Sequence, residues 1–138
     1  MPVKVHVDLS DFKLYMSDTG MLTMLSGMAA QVVLSTIETD SSFLGAIAEN
    51  YVAQAFTANR IPLLYWKNNN TAEIDFVIQK GIEVIPVEVK SGIRTRSKSL
   101  DIFMKRYNCP HAIRISKKNF GCENGIKSVP LYAVFCES

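Results

Sequence analysis

The chain has 138 residues, 48% of them hydrophobic and 20% charged, which suits one globular domain with its own core and leaves no room for two. No apolar run approaches the roughly 18 to 20 residues of a membrane span, and the opening MPVKVHVDLSDF lacks the basic-then-apolar order of a secretory signal, so no membrane association and a cytoplasmic location are expected. Net charge is only +2, too small for the whole-domain basic footprint of a strong nucleic-acid binder, and three cysteines with no CxxC pair argue against a disulfide framework or a structural zinc site.

The charge is unevenly spread. Met1 to Val89 carries 5 basic and 10 acidic residues, whereas Lys90 to Lys118 carries 9 basic residues against Asp101 alone. An acidic site beside a basic surface is what a metal-dependent enzyme acting on phosphates shows; a solvated basic helix and its flanks account for the same numbers.

In chain order, Val3, Val5 and Val7 alternate with polar residues as a half-buried strand does. Ser17 or Asp18 caps a short helix carrying Met21, Leu22 and Leu25, which Gly27 ends, and a second short helix covers Ala29 to Ile37. Ser41 or Ser42 then caps a longer helix running to about Ala58, on which Leu44, Ile47, Ala48, Tyr51, Val52, Ala55 and Phe56 form one apolar stripe. Strands are expected at Pro62 to Lys67, Glu73 to Gln79 and Glu83 to Lys90, a β-meander with KNNN and QKG between them. Ser97 or Ser99 caps a helix bearing Leu100, Phe103, Met104 and Tyr107 that stops before Pro110. Strands at His111 to Ser116 and Leu131 to Phe135 complete an α-β-β-β-α-β-β order, an α/β fold in which residues 1–42 form a small helical and extended N-terminal extension and 43–138 the core.

The stretch AEIDFVIQKGIEVIPVEVKSG carries the chemistry. Side chains alternate along a strand, so Glu73, Asp75 and Val77 share one face, and Val84, Pro86, Glu88 and Lys90 share one face of the next. A two-residue turn at Lys80 and Gly81 pairs Asp75 with Pro86 and Glu73 with Glu88, making Asp75 and Glu88 diagonal neighbours; a four-residue loop keeps that parity and a three-residue loop destroys it. Glu73, Asp75 and Glu88 then crowd like charges that a cation or bound protons must relieve, with Lys90 relieving part. Mg²⁺ is typically held by one or two carboxylates, waters and a substrate phosphate. An ordinary surface Glu/Lys ladder is the alternative. Glu49 sits at the margin of the helix stripe, one turn after Gly45, where it is either a further ligand or a solvated edge residue. Pro86 lacks a ladder donor, so the strand carrying Glu88 is expected at a sheet edge or with a break in pairing.

A helix glutamate, a strand Asp and Glu-x-Lys on the next strand, here Glu49, Asp75, Glu88 and Lys90, resemble the PD-(D/E)xK nuclease-like superfamily, although Glu73 and Ile74 stand before Asp75 where that pattern has proline. The resemblance implies a restriction-endonuclease-like α-β-β-β-α-β core over roughly Leu44 to Ser116. It also implies Mg²⁺ or Mn²⁺ on Asp75, Glu88 and the Val89 carbonyl, with Glu49 as a direct or water-mediated ligand. Lys90 is then assigned to orienting the attacking water and stabilising negative charge rather than to acting as a base. Arg94, Arg96 and Lys98, at alternate positions before a helix N-terminus, suit phosphate contacts. Tyr65, Trp66 and KNNN offer either a base-stacking platform or ordinary core.

Over nearly the whole chain, DLSDFKLYMSDTGML, FLGAIAENYVAQAF, LLYWKNNNTAEIDFVIQ and VIPVEVKSGIRTRSKSL resemble the uncharacterised C-terminal domain of bacterial and archaeal proteins whose N-terminal part is an AAA-type P-loop ATPase. An ATPase domain in cis in full-length relatives is therefore the expected partner, and this chain has no GxxxxGK[ST] of its own. The resulting expectation is Mg-dependent phosphodiester hydrolysis on DNA or RNA. Two alternatives are a non-catalytic regulatory or interaction module of the ATPase, and nucleic-acid binding without cleavage.

Overall fold

The computed structural model describes residues 8, 10–27, 41–68, 71–92 and 97–137. The expected strand at Val3 to Val7, the expected helix at Ala29 to Ile37, and Arg94 and Arg96 lie outside the described residues. Helix α1 (Thr19–Leu25) starts from Asp18, whose carboxylate accepts the Met21 N–H at 2.9 Å, and Gly27 follows it at φ 70°. Helix α2 (Ser41–Ala58) takes both Ser41 and Ser42 inside its first turn, and the residue before it lies outside the described residues. Ala48, Val52, Ala53, Ala55 and Phe56 on α2 are buried. No helix among the described residues is long and apolar enough to cross a membrane.

The predicted strand Glu73 to Gln79 is two strands. β1 (Trp66–Asn68) and β2 (Ala72–Ile74) form a small antiparallel hairpin; the chain bends at Asp75 and enters β3 (Phe76–Lys80), which pairs antiparallel with β4 (Glu83–Val89). Helix α3 (Lys98–Tyr107) is capped by Ser97 and ends at Asn108, whose φ of 51° breaks the helix ahead of Pro110. β5 (Ala112–Ser116), β6 (Gly121–Glu123) and β7 (Ile126–Pro130) complete a five-stranded sheet of order β3-β4-β5-β7-β6, with β4, β5 and β7 parallel. Leu131 to Phe135, expected as a strand, is instead part of a 3₁₀ helix, Leu131–Cys136. Its Ala133 and Val134 pack against the sheet, so its apolar run reflects burial and not pleating.

The last strand, Ile126–Pro130, lies earlier in the chain than expected. Asn124 and Gly125 have φ of 52° and 77°, the conformation of a two-residue Asn-Gly hairpin turn, and they join β6 to β7. A Cβ on Gly125 would lie 2.5 Å from the Pro110 carbonyl oxygen, so this turn needs glycine for close approach as well as for φ.

Two apolar layers sandwich the sheet. Phe76, Ile78, Ile85, Val87, Ile113, Ile115 and Val129 face α2, and Phe56 meets Phe76 edge-on at 5.4 Å. Val77, Ala112 and Ile126 face α3 with its Leu100 and Phe103. Pro86 sits in an interior strand and not at the edge, so of its two expected settings the break in pairing is the one found, on the side of β5. Its partner on β3, Val77, sends its N–H to the Leu64 carbonyl, away from β4, so this is a non-hydrogen-bonded pair and Pro86 likewise turns its nitrogen away, toward β5. The ladder with β5 begins only at Val87, so the missing donor costs nothing there.

Candidate carboxylate site

The β3–β4 turn falls at Gly81 and Ile82, because Lys80 pairs with Glu83, and Gly81 supplies the positive φ of 61°. Parity is as expected but the register differs by two residues. Continued one step beyond the Phe76–Val87 pair, where the ladder ends, this register brings Asp75 level with Glu88 instead of Pro86, although Asp75 itself lies in the bend outside the ladder. Glu73 does not crowd Glu88: it pairs with Lys67 in the other hairpin. At the bend the Asp75 carboxylate replaces the departing strand, Oδ2 accepting the Val89 N–H at 2.7 Å. The Val89 carbonyl, on the same edge of an extended residue, faces the side that β3 has left.

Asp75 is poorly compensated. Burial, then the charge of Glu88, push its carboxyl up to about 7, against the pull of the Val89 N–H and with a smaller contribution from Glu49. Glu88 is only 4% exposed. Lys90 reaches its Oε1 at 2.5 Å, while Oε2 is buried without a hydrogen-bond partner among the described residues. A buried carboxylate oxygen in that state carries a desolvation cost of about 1–3 kcal/mol or more.

Glu49 is not a solvated edge residue. The N-terminal segment crosses over it, Tyr15 donating its hydroxyl to Glu49 Oε1 at 2.6 Å and Lys13 Nζ approaching the same oxygen at 2.9 Å. Lys13 also bonds Glu73. Burial lowers the Lys13 affinity for its proton, but Glu73 and Glu49 outweigh this and raise it overall. Tyr15 is raised well above the ordinary phenol range by burial and by Glu49. The next residue of α2, Asn50, fixes the same segment: its Oδ1 accepts the Met16 N–H at 2.8 Å and its Nδ2 donates to the Met16 carbonyl at 3.2 Å. The reading from sequence missed Lys13, Tyr15 and Asn50. Asn50, a polar residue beside the helix stripe and 3% exposed, was the one signal available.

Glu49, Glu73, Asp75 and Glu88 thus stand against Lys13 and Lys90, with Arg114 next to Glu88 in register on β5, so an ionised Asp75 leaves the cluster net negative. Such a cluster can hold a proton between Asp75 and Glu88 or accept a cation. Among the described residues no three His, Cys, Asp or Glu side chains form a ready metal cage. The carboxylate pair and its orphaned oxygen nevertheless fit a hard cation that completes its shell with water and substrate.

A groove of about 1100 Å³ opens beside the cluster, its wall including Lys13, Tyr15 and Asp75 but neither Glu88 nor Lys90. Trp66, also on the wall, is half-buried, packs edge-on against Phe103 at 5.1 Å and donates its indole N–H to the Tyr107 hydroxyl at 2.9 Å. Lys13 lies over the Tyr65 ring at 5.2 Å. Lys98 is the first residue of α3 and is exposed. Cys122 and Cys136 are exposed and Cys109 half-buried, all three as free thiols.

Fold and site define a mixed α/β domain with a buried, net-acidic cluster where β3 leaves the C-terminal half of β4. The family model for a domain of unknown function, DUF4143, matches residues 44–134, and the chain belongs to that family. No curated protein and no solved structure matches it.

Proposed function

We propose that this chain is a nuclease-like domain in which Asp75 and Glu88 hold Mg²⁺ or Mn²⁺ for hydrolysis of phosphodiester bonds in DNA or RNA. The observation that carries the reading is the Glu88 oxygen buried without a partner, near enough to Asp75 that its charge, after burial, helps push that carboxyl up to about 7. The order helix, strands, helix and parallel strand, with Glu49, Asp75, Glu88 and Lys90 on it, supports a PD-(D/E)xK-like core. A bound divalent cation, held by Asp75, Glu88 and the Val89 carbonyl with Glu49 directly or through water, supplies charge to a phosphodiester oxygen and acidifies a nearby water.

The chain's own residues do the rest. Lys90, fixed by Glu88, orients the attacking water and stabilises charge on the phosphoryl oxygens. Lys13 and Tyr15 fix the rotamer of Glu49. The water oxygen bonds to phosphorus, the ester P–O bond breaks, the water's proton passes to solvent and the leaving oxygen takes one up. Exposed Lys98, with Arg94 and Arg96, supplies sequence-independent phosphate contacts. An ATPase domain in cis is the proposed partner.

A second reading, an interaction module of that ATPase, draws on the internal employment of two carboxylates: Asp75 closes the β4 ladder and Glu49 anchors the N-terminal segment. The full chain incubated with labelled single- and double-stranded DNA and RNA separates the two. Cleavage that needs Mg²⁺ or Mn²⁺ and falls at least about a hundredfold in Glu88→Gln is the result expected of hydrolysis. No cleavage by folded wild type, or equal cleavage by the variant, favours the module.

A further inference from the structure

A polar row runs across the α3 face of the sheet. Glu88 on β4 pairs in parallel register with Arg114 on β5, and Arg114 pairs in the same way with Ser128 on β7. In-register residues of neighbouring strands point to the same face, so Glu88, Arg114 and Ser128 stand side by side over three strands, with Asp75 in the bend just beyond the β3–β4 ladder. Among the described residues two buried side-chain polar atoms lack a hydrogen-bond partner: Glu88 Oε2 and Arg114 Nε, which belong to adjacent members of this row. Arg114 and Ser128 are half-buried, so each retains access to solvent.

A buried guanidinium donor and a buried carboxylate oxygen, neighbours in register, each call for a partner of opposite charge. A cation answers the carboxylate oxygen; an anionic oxygen answers the guanidinium. A phosphodiester beside a carboxylate-held cation offers both, and the fork of an arginine matches phosphate geometry better than a lysine does.

We infer that Arg114, aided by the Ser128 hydroxyl, is a substrate-binding residue that holds a nucleic-acid phosphate next to the Asp75–Glu88 carboxylates. The inference rests on the proposed hydrolytic reading for the identity of its ligand. Arg114 fixes where along the strand the phosphate lies, and it carries no base information. No positive charge of the Arg94 to Lys98 stretch is needed for it.

The test measures anisotropy of fluorescein-labelled DNA and RNA oligonucleotides, single- and double-stranded, on the full chain with and without Mg²⁺, over a salt series. Wild type is expected to bind with salt-dependent affinity. Arg114→Gln is expected to weaken binding about tenfold or more and to reduce the salt slope by about one. Arg114→Lys, which keeps charge but not the fork, is expected to recover only part of the loss and serves where the glutamine variant does not fold. Failure of wild type to bind, or affinity of folded Arg114→Gln and Arg114→Lys within about twofold of wild type, overturns the inference. Binding lost in Arg114→Gln with no cleavage by wild type keeps the phosphate site and removes hydrolysis. Cleavage unchanged in Arg114→Gln keeps hydrolysis and removes the phosphate site.

Discussion

Asp75→Asn is expected to be more stable than wild type at about pH 8 without divalent cations. The folded carboxyl releases its proton near 7, against 3.8 for the ordinary group. Between those values the native state holds more protons than the unfolded chain, so stability falls as pH rises from about 4 through 7 and levels off above. At about 1.4 kcal/mol per unit of displacement, the ionised group costs on the order of 2–4 kcal/mol at pH 8. Asparagine keeps an oxygen for the Val89 N–H and carries no charge, so this contribution to the pH dependence should vanish. Added Mg²⁺ should recover stability in wild type only, since a ligand that binds the native state alone stabilises it. Thermal unfolding across pH checks both statements; a variant less stable than wild type at pH 8 contradicts them.

Phe56→Ala is expected to cost about 3–5 kcal/mol, the range for removing a buried phenyl ring. Phe56 is fully buried at the centre of the α2 face and loses its edge-on contact with Phe76, whose ring also packs on Tyr15 at 5.7 Å. For a chain of this length the midpoint of thermal unfolding should drop by roughly 10–17 °C. Phe56→Leu, which refills most of the volume, should cost less than half as much. A loss below about 1 kcal/mol for the alanine variant would mean that α2 does not pack on Phe76 and the site is not scaffolded as described.

The parts of this fold that sequence made legible are those with local causes. The stripe from Ala48 to Phe56, the Ser97 cap and the division of β4 between the two core layers need only neighbours a few residues away. The parity that places Asp75 and Glu88 on one face was legible for the same reason. The register itself, shifted by two residues, was not: it depends on Gly81, and not Lys80, taking the first position of the turn. The split of the predicted Glu73 to Gln79 strand was hidden because apolar alternation continues through Asp75 although the pairing partner changes there. The Asn124-Gly125 hairpin signal is local, and the expectation of a strand at Leu131 to Phe135 took no account of it.

The remainder of the site is long-range. Lys13 and Tyr15 meet Glu49 across 36 and 34 residues, and no periodicity announces a contact of that separation. Arg114 reads in sequence as one more basic residue of the Lys90 to Lys118 stretch. Only the parallel register of β4 and β5 sets it beside Glu88.

Calorimetric titration of Mg²⁺ and of Mn²⁺ into the wild-type chain, Asp75→Asn and Glu88→Gln tests the shared cation site most directly. Saturable binding by wild type that is lost in both folded variants is the predicted result. No binding to folded wild type, or binding that both variants retain, contradicts it.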